Sequence, residues 1–169
     1  MGASARGITL IEAAVGVAIA GALLAVTIPA FVREVRSSKF VEATSGVATL
    51  GARAVAYSEG KPTANAFPES VALTPRVAPR GEKVVDTPGT WDAPTWRALD
   101  FRASPEGVPH AFAFAFTSNL NATRSVFVAE AHGDLDADGI ASTFEVKGSA
   151  EPGRASAVDP GMYVESELE

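Results

Sequence analysis

Hydrophobic and polar positions change character twice along the first sixty residues. From Ala13 to Val32 twenty consecutive residues carry no charge. As a helix they cover about 30 Å, the thickness of a bilayer's hydrocarbon core. The run is rich in Ala and Gly rather than Leu, and small residues let helix backbones approach closely, which suits packing on copies of the same helix as well as on lipid. Charges follow at Arg33, Glu34, Arg36, Lys39 and Glu42, while apolar residues recur at Phe40, Ala43, Val47, Leu50, Ala54 and Tyr57. Steps of three and four trace one helical face. Gly60 and Pro62 end the pattern. The spacing predicts a helix over 8–58, a stem with no polar face in its first half and one apolar stripe in its second. Pro29 removes one hydrogen bond within it, which gives either a curve in the stem or a segment able to melt.

The remainder reads differently. Residues 60–95 hold Pro62, Pro68, Pro75, Pro79, Pro88 and Pro94, six of the eleven prolines, so a long irregular connection is expected there, with a short extended piece at 70–73. It is either an exposed functional loop or an inert cover on a sheet. Ala111-Phe112-Ala113-Phe114-Ala115-Phe116 alternates without a break, sending three phenylalanines one way and three alanines the other. Ser118, Asn119 and Asn121 are turn residues, and 125–131 and 142–147 are the next strands. The phenylalanine face is expected on the helical stripe. The tail 149–169 is polar and acidic, carries Pro152 and Pro160, and is expected to fray. The fold class is α+β, a long N-terminal helix packed on a small antiparallel sheet.

Composition narrows the function. With 169 residues, 47% of them hydrophobic and 20% charged, the chain can build one ordinary core. A net charge of -6 argues against nucleic acid as the main partner. The absence of cysteine removes disulfides and thiolate chemistry, and His110 and His132 are the only histidines. No nucleophile elbow, phosphate loop or zinc-protease motif occurs, so no enzyme is expected.

One motif does carry chemistry. Asp134, Asp136, Asp138, Gly139 and, six residues after the glycine, Glu145 satisfy D-x-D-x-D-G-x5-E, a spacing that wraps oxygen ligands around calcium. Ile140 would offer a carbonyl, Ser142 a direct or water-mediated contact and Glu145 a bidentate carboxylate. Both flanks read as strands rather than the helices of an EF-hand, and a solvated hairpin turn fits the same residues.

The N-terminus holds a second motif. Glu12 heads the apolar run, where a carboxylate is costly and usually has a task. Only Met1 to Gly7 precedes Ile8, with Arg6 its one charge. A secretory signal would end in a small-x-small site, and the best candidate, before Phe31, places Ile28 where a small residue belongs. Gly7-Ile8-Thr9-Leu10-Ile11-Glu12 followed by the apolar helix resembles the leader junction of type IV pilins and pseudopilins, and Gly21, Pro29, Ala30 and Phe31 continue the likeness. Ile8 stands where phenylalanine is usual. The resemblance covers residues 7–32, about 15% of the chain. A weaker likeness to pilin-like heads of gliding and predatory bacteria rests on Trp96, Leu99 and Phe101 and on Gly133-Asp134-Leu135-Asp136-Ala137-Asp138-Gly139.

The resemblance implies that a prepilin peptidase cuts after Gly7 and methylates Ile8, and that Glu12 helps subunits assemble. It divides the chain into a leader (1–7), a transmembrane assembly half (8–32), an amphipathic half (33–59), a loop (60–95), a sheet head (96–148) and a tail (149–169). It implies a single-pass inner-membrane protein with its C-terminal part outside, which inner-membrane assembly machinery draws from the lipid bilayer into a homo- or hetero-polymer with other pilins. The product would be a surface filament for adhesion, motility or uptake, or a periplasmic pseudopilus of type II secretion. A membrane-tethered binding protein that never polymerises is the alternative. The basic cluster Arg33, Arg36 and Lys39 taken alone would place that flank in the cytoplasm; the resemblance overrides it.

Overall fold

A computed structural model describes residues 9–166, with side chains described outside 32–39. The chain forms two compact units, 1–39 and 40–169. Helix α1 spans Leu10–Ser58 with Pro29 inside it, and no break in helical backbone occurs there. Gly60 at φ +72° turns the chain away from the helix end, as the sequence predicts, and the Lys61 amide donates to the Ser58 carbonyl.

In the first unit every residue of α1 from Leu10 to Phe31 is exposed, its large apolar side chains ranging from Val15 at 52% to Leu10 at 88%. These 22 residues are long and apolar enough to cross a membrane.

The second unit is built on an antiparallel sheet: β1 (Val71–Thr74), β2 (Ala113–Asn119), β3 (Ser125–Gly133), β4 (Ser142–Ala150), β5 (Ala157–Val158) and β6 (Tyr163–Glu165), in the order β1-β2-β3-β4-β5 with β6 also on β4. A short helix α2 (Pro94–Ala98) lies in the connection before β2. The predicted helical stripe is the buried one: Phe40, Ala43, Val47, Leu50 and Ala54 are inside, and Tyr57 is half-buried. Opposite them Phe112, Phe114, Phe116, Phe127 and Phe144 are fully covered. Phe40 meets Phe144 at 5.6 Å between ring centres, Phe116 stacks on Phe127 at 5.6 Å, and Trp91 and Phe101 close on Phe114 with Trp96 packed against both of them. Such pairs add to area burial.

Two expectations change. β2 starts at Ala113, two residues after the alternation does, because the Ala111 and Phe112 amides donate to Glu42 Oε1 of α1 (2.7 and 3.0 Å) instead of joining a ladder. The tail is not loose through 166: β5 and β6 both pair with β4, whose edge offers unpaired backbone groups that the tail satisfies.

Candidate functional site

Gly7 and Ile8, the expected processing site, lie outside the described residues. Just after them, Thr9 and Glu12 form a reciprocal cap. The Thr9 amide and hydroxyl both donate to Glu12 Oε2, at 2.8 and 2.9 Å, and the Glu12 amide donates to Thr9 Oγ1 at 3.2 Å. This is the Thr-x-x-Glu arrangement that satisfies otherwise unpaired donors at a helix start. Its signal was present in the sequence, and reading Glu12 only as an intermolecular group misses it. Further along, Gly21 has open space where a side chain would be, and Pro29 sits on the exposed helix.

The acidic loop connects β3 to β4. One carboxylate oxygen from each of Asp134, Asp136 and Asp138 lies within 4.8 Å of the others, with Asp134 buried and the other two exposed. The turn is shaped by its own side chains. The Asp138 amide donates to Asp136 Oδ1, the Ile140 amide to Asp138 Oδ1 and the Gly139 amide to Asp134 Oδ2. Ala137 (φ +65°) and Gly139 (φ +99°) take left-handed backbone to bring the three acids together.

Asp134 is the unusual member. It is 3% exposed; its Oδ2 accepts from Arg80 Nε at 3.0 Å and from the Gly139 amide at 3.1 Å, while its Oδ1 is buried with no hydrogen-bond partner. Burial pushes this carboxyl up. Hydrogen bonds from Arg80 and the Gly139 amide, with the Arg80 charge, outweigh that and hold it below the ordinary aspartate range. A buried oxygen left unpaired is costly, and a cation at that point would remove the cost. The cluster can therefore hold a metal ion.

Glu145 of the predicted ligand set does not join the three aspartates. Ser142 Oγ donates to the Ser166 carbonyl, and Glu145 takes Lys147 Nζ at 2.7 Å on β4. A helix after Gly139 would bring Glu145 back over the loop; a strand from Ser142 carries it away along the sheet instead. Ile140 stays in the loop, exposed.

Two further groups escaped the sequence reading. Arg80 comes from the proline-rich segment, 54 positions from its partner Asp134, a distance at which no local pattern points to it. His110 is buried, with Nδ1 2.8 Å from the Phe112 carbonyl and Nε2 2.9 Å from Asp86 Oδ2, which also accepts from Trp91 Nε1. Both ring nitrogens face acceptors, and Asp86 Oδ2 is held between His110 and Trp91. Comparison with known proteins finds no matching family model, no matching curated protein and no matching solved structure.

Proposed function

We propose that this chain is a structural subunit of a type IV pilus-like filament, held in a membrane by residues 10–31 until it polymerises through that helix. The observation that carries the reading is a 22-residue apolar helix, exposed along its whole length and headed by one carboxylate. Exposed apolar surface of that extent requires lipid or protein around it. Its small residues favour close helix approach. Cleavage after Gly7 would create an amine at Ile8, and in a desolvated filament core that cation and Glu12 of a neighbouring copy each become tolerable as a pair.

The test separates the filament role from the cap. Glu12→Gln and Thr9→Val are expressed in cells that process the chain, and sheared surface material is probed for the protein. Glu12→Gln is expected to insert in the membrane and to leave the sheared fraction at least tenfold depleted, whereas Thr9→Val removes only the local cap and retains filaments. Equal loss in both variants would reduce Glu12 to a helix cap. Mass spectrometry of the surface protein is expected to give methylated Ile8 as the first residue; surface protein still starting at Met1 would make the chain a tether.

For the acidic loop we infer calcium as the ion. Three carboxylates, one of them with a buried unpaired oxygen, form a hard, all-oxygen donor set on an irregular loop, which suits the adaptable coordination of calcium better than the strict octahedron of magnesium.

A further inference from the structure

The proline-rich segment between β1 and α2 is tied to the sheet at few points. From Arg76 to Val85 only Pro79 is buried. Two isolated bridges hold this stretch, Val84 with His110 and Arg80 with Asp134. The second is the more heavily stitched. The Asp134 amide donates to the Pro79 carbonyl at 3.1 Å, the Gly81 amide donates to the Asp134 carbonyl at 2.7 Å, and Arg80 Nε pairs with Asp134 Oδ2. Gly81, at φ +67°, lies against the loop tip, where an added Cβ would stand 3.1 Å from that of Ala137. Residue 134 is thus both the anchor of this strap and the first acid of the loop.

The two oxygens of Asp134 are divided between these tasks. Oδ2 is occupied by Arg80 and the Gly139 amide, and Oδ1 is buried, unpartnered and in the residue whose carboxylate converges with Asp136 and Asp138. Without a cation, three carboxylates repel one another and the loop must hold its left-handed turns against that repulsion. With one, the loop is drawn together around the same residue that carries the strap.

We propose that a divalent cation, calcium, closes a clasp: bound to Asp134, Asp136 and Asp138, it fixes Asp134 and thereby fastens residues 76–85 to the sheet. This rests on the calcium reading above and adds its consequence for a distant segment. Arg80 acts as a positioning residue, holding Oδ2 so that Oδ1 remains for the ion.

The strap contains Arg76, Arg80 and Lys83, so trypsin reports its attachment directly. The full chain in detergent is digested in excess chelator, in millimolar calcium and in millimolar magnesium, while calorimetry measures calcium binding on the same sample. Calcium is expected to bind and to slow cleavage after Arg80 and Lys83 at least tenfold, with hydrogen exchange at Gly81 slowing in parallel and magnesium giving a smaller effect. The double variant Asp136→Asn/Asp138→Asn keeps the oxygens that shape the turn but removes two charges. In chelator its strap should be cleaved no faster than the parent's, because the repulsion between the acids is relieved, and it should gain no protection from calcium. No calcium binding would overturn the ion assignment itself. Binding with unchanged strap cleavage, or calcium protection persisting in the double variant, would overturn the clasp and leave the ion site standing.

Discussion

Gly148 sits on β4 directly opposite Phe127 of β3, and an added Cβ would run into the Phe127 ring and the Ala157 carbonyl of β5. Gly46 on α1 meets the Phe114 ring in the same way. Each glycine is the gap into which a phenylalanine packs, which is a reason for glycine that concerns space and not backbone freedom. Gly148→Ala is expected to lower stability by about 1–3 kcal/mol, the usual range for overpacking. Gly46→Ala gains about 1 kcal/mol of helix propensity and should still come out destabilised, because the ring it meets is buried on all sides. Thermal unfolding of the full chain in detergent, followed by near-ultraviolet dichroism, checks both. The phenylalanines were legible in the sequence from their alternation. The glycines that admit them were not, since a glycine in a helix or strand pattern gives no sign of which ring approaches it.

At the scale of elements, Glu42 joins α1 to the start of β2. Its Oε1 accepts from two consecutive buried amides, and its Oε2 lies 3.9 Å from Lys83 Nζ. Removing the acceptor strands two donors that have no ladder partner. Glu42→Ala is therefore expected to cost about 2–6 kcal/mol, on the scale of about 1–3 kcal/mol for each unsatisfied buried group. Glu42→Gln retains a carbonyl oxygen and should lose less than half of that; faster hydrogen exchange at Ala111 and Phe112 in the alanine variant would trace the loss to this contact. The stem helix, the three long strands and the phenylalanine face were all readable, because period 3.6 and period 2 are local signals. Glu42 read only as one of several charges past the membrane span, and β5 and β6 were missed because two or three residues cannot display a period. In the acidic loop the three aspartates and Glu145 were all named from the motif's spacing, and the strand already readable after the loop is what carries Glu145 away from the aspartates.

Across the whole molecule the absence of cysteine leaves head stability to packing, hydrogen bonding and ion pairs. Their pH dependence follows from which groups are shifted. On β4 the Lys147 ammonium is held above its ordinary range by its hydrogen bond and ion pair with Glu145, and the Tyr163 hydroxyl on β6 is raised by its hydrogen bond to Glu165. A raised folded value means the stabilising proton is in place below the unfolded value and is lost as pH rises through the folded one. Asp134 is shifted down, so its contribution is present above the ordinary aspartate range and is lost on acidification below it. The melting temperature is therefore expected to be level across neutral pH and to fall in strong alkali, with a shallower alkaline decline in Lys147→Met. An unchanged alkaline limb in that variant would remove the β4–β6 edge as its source.

The reciprocal bonding of Thr9 and Glu12 has a consequence for how copies would join. Both hydrogen bonds that the acid accepts from Thr9 fall on Oε2, and a carboxylate offers a second oxygen, so a neighbour's amine can be met at Oε1 while the cap stays whole. Recruitment would then add a partner to an acid already steadied by its own chain. The cap would fix where on the rod the charge stands, and with it the axial step at which a neighbouring rod comes to rest.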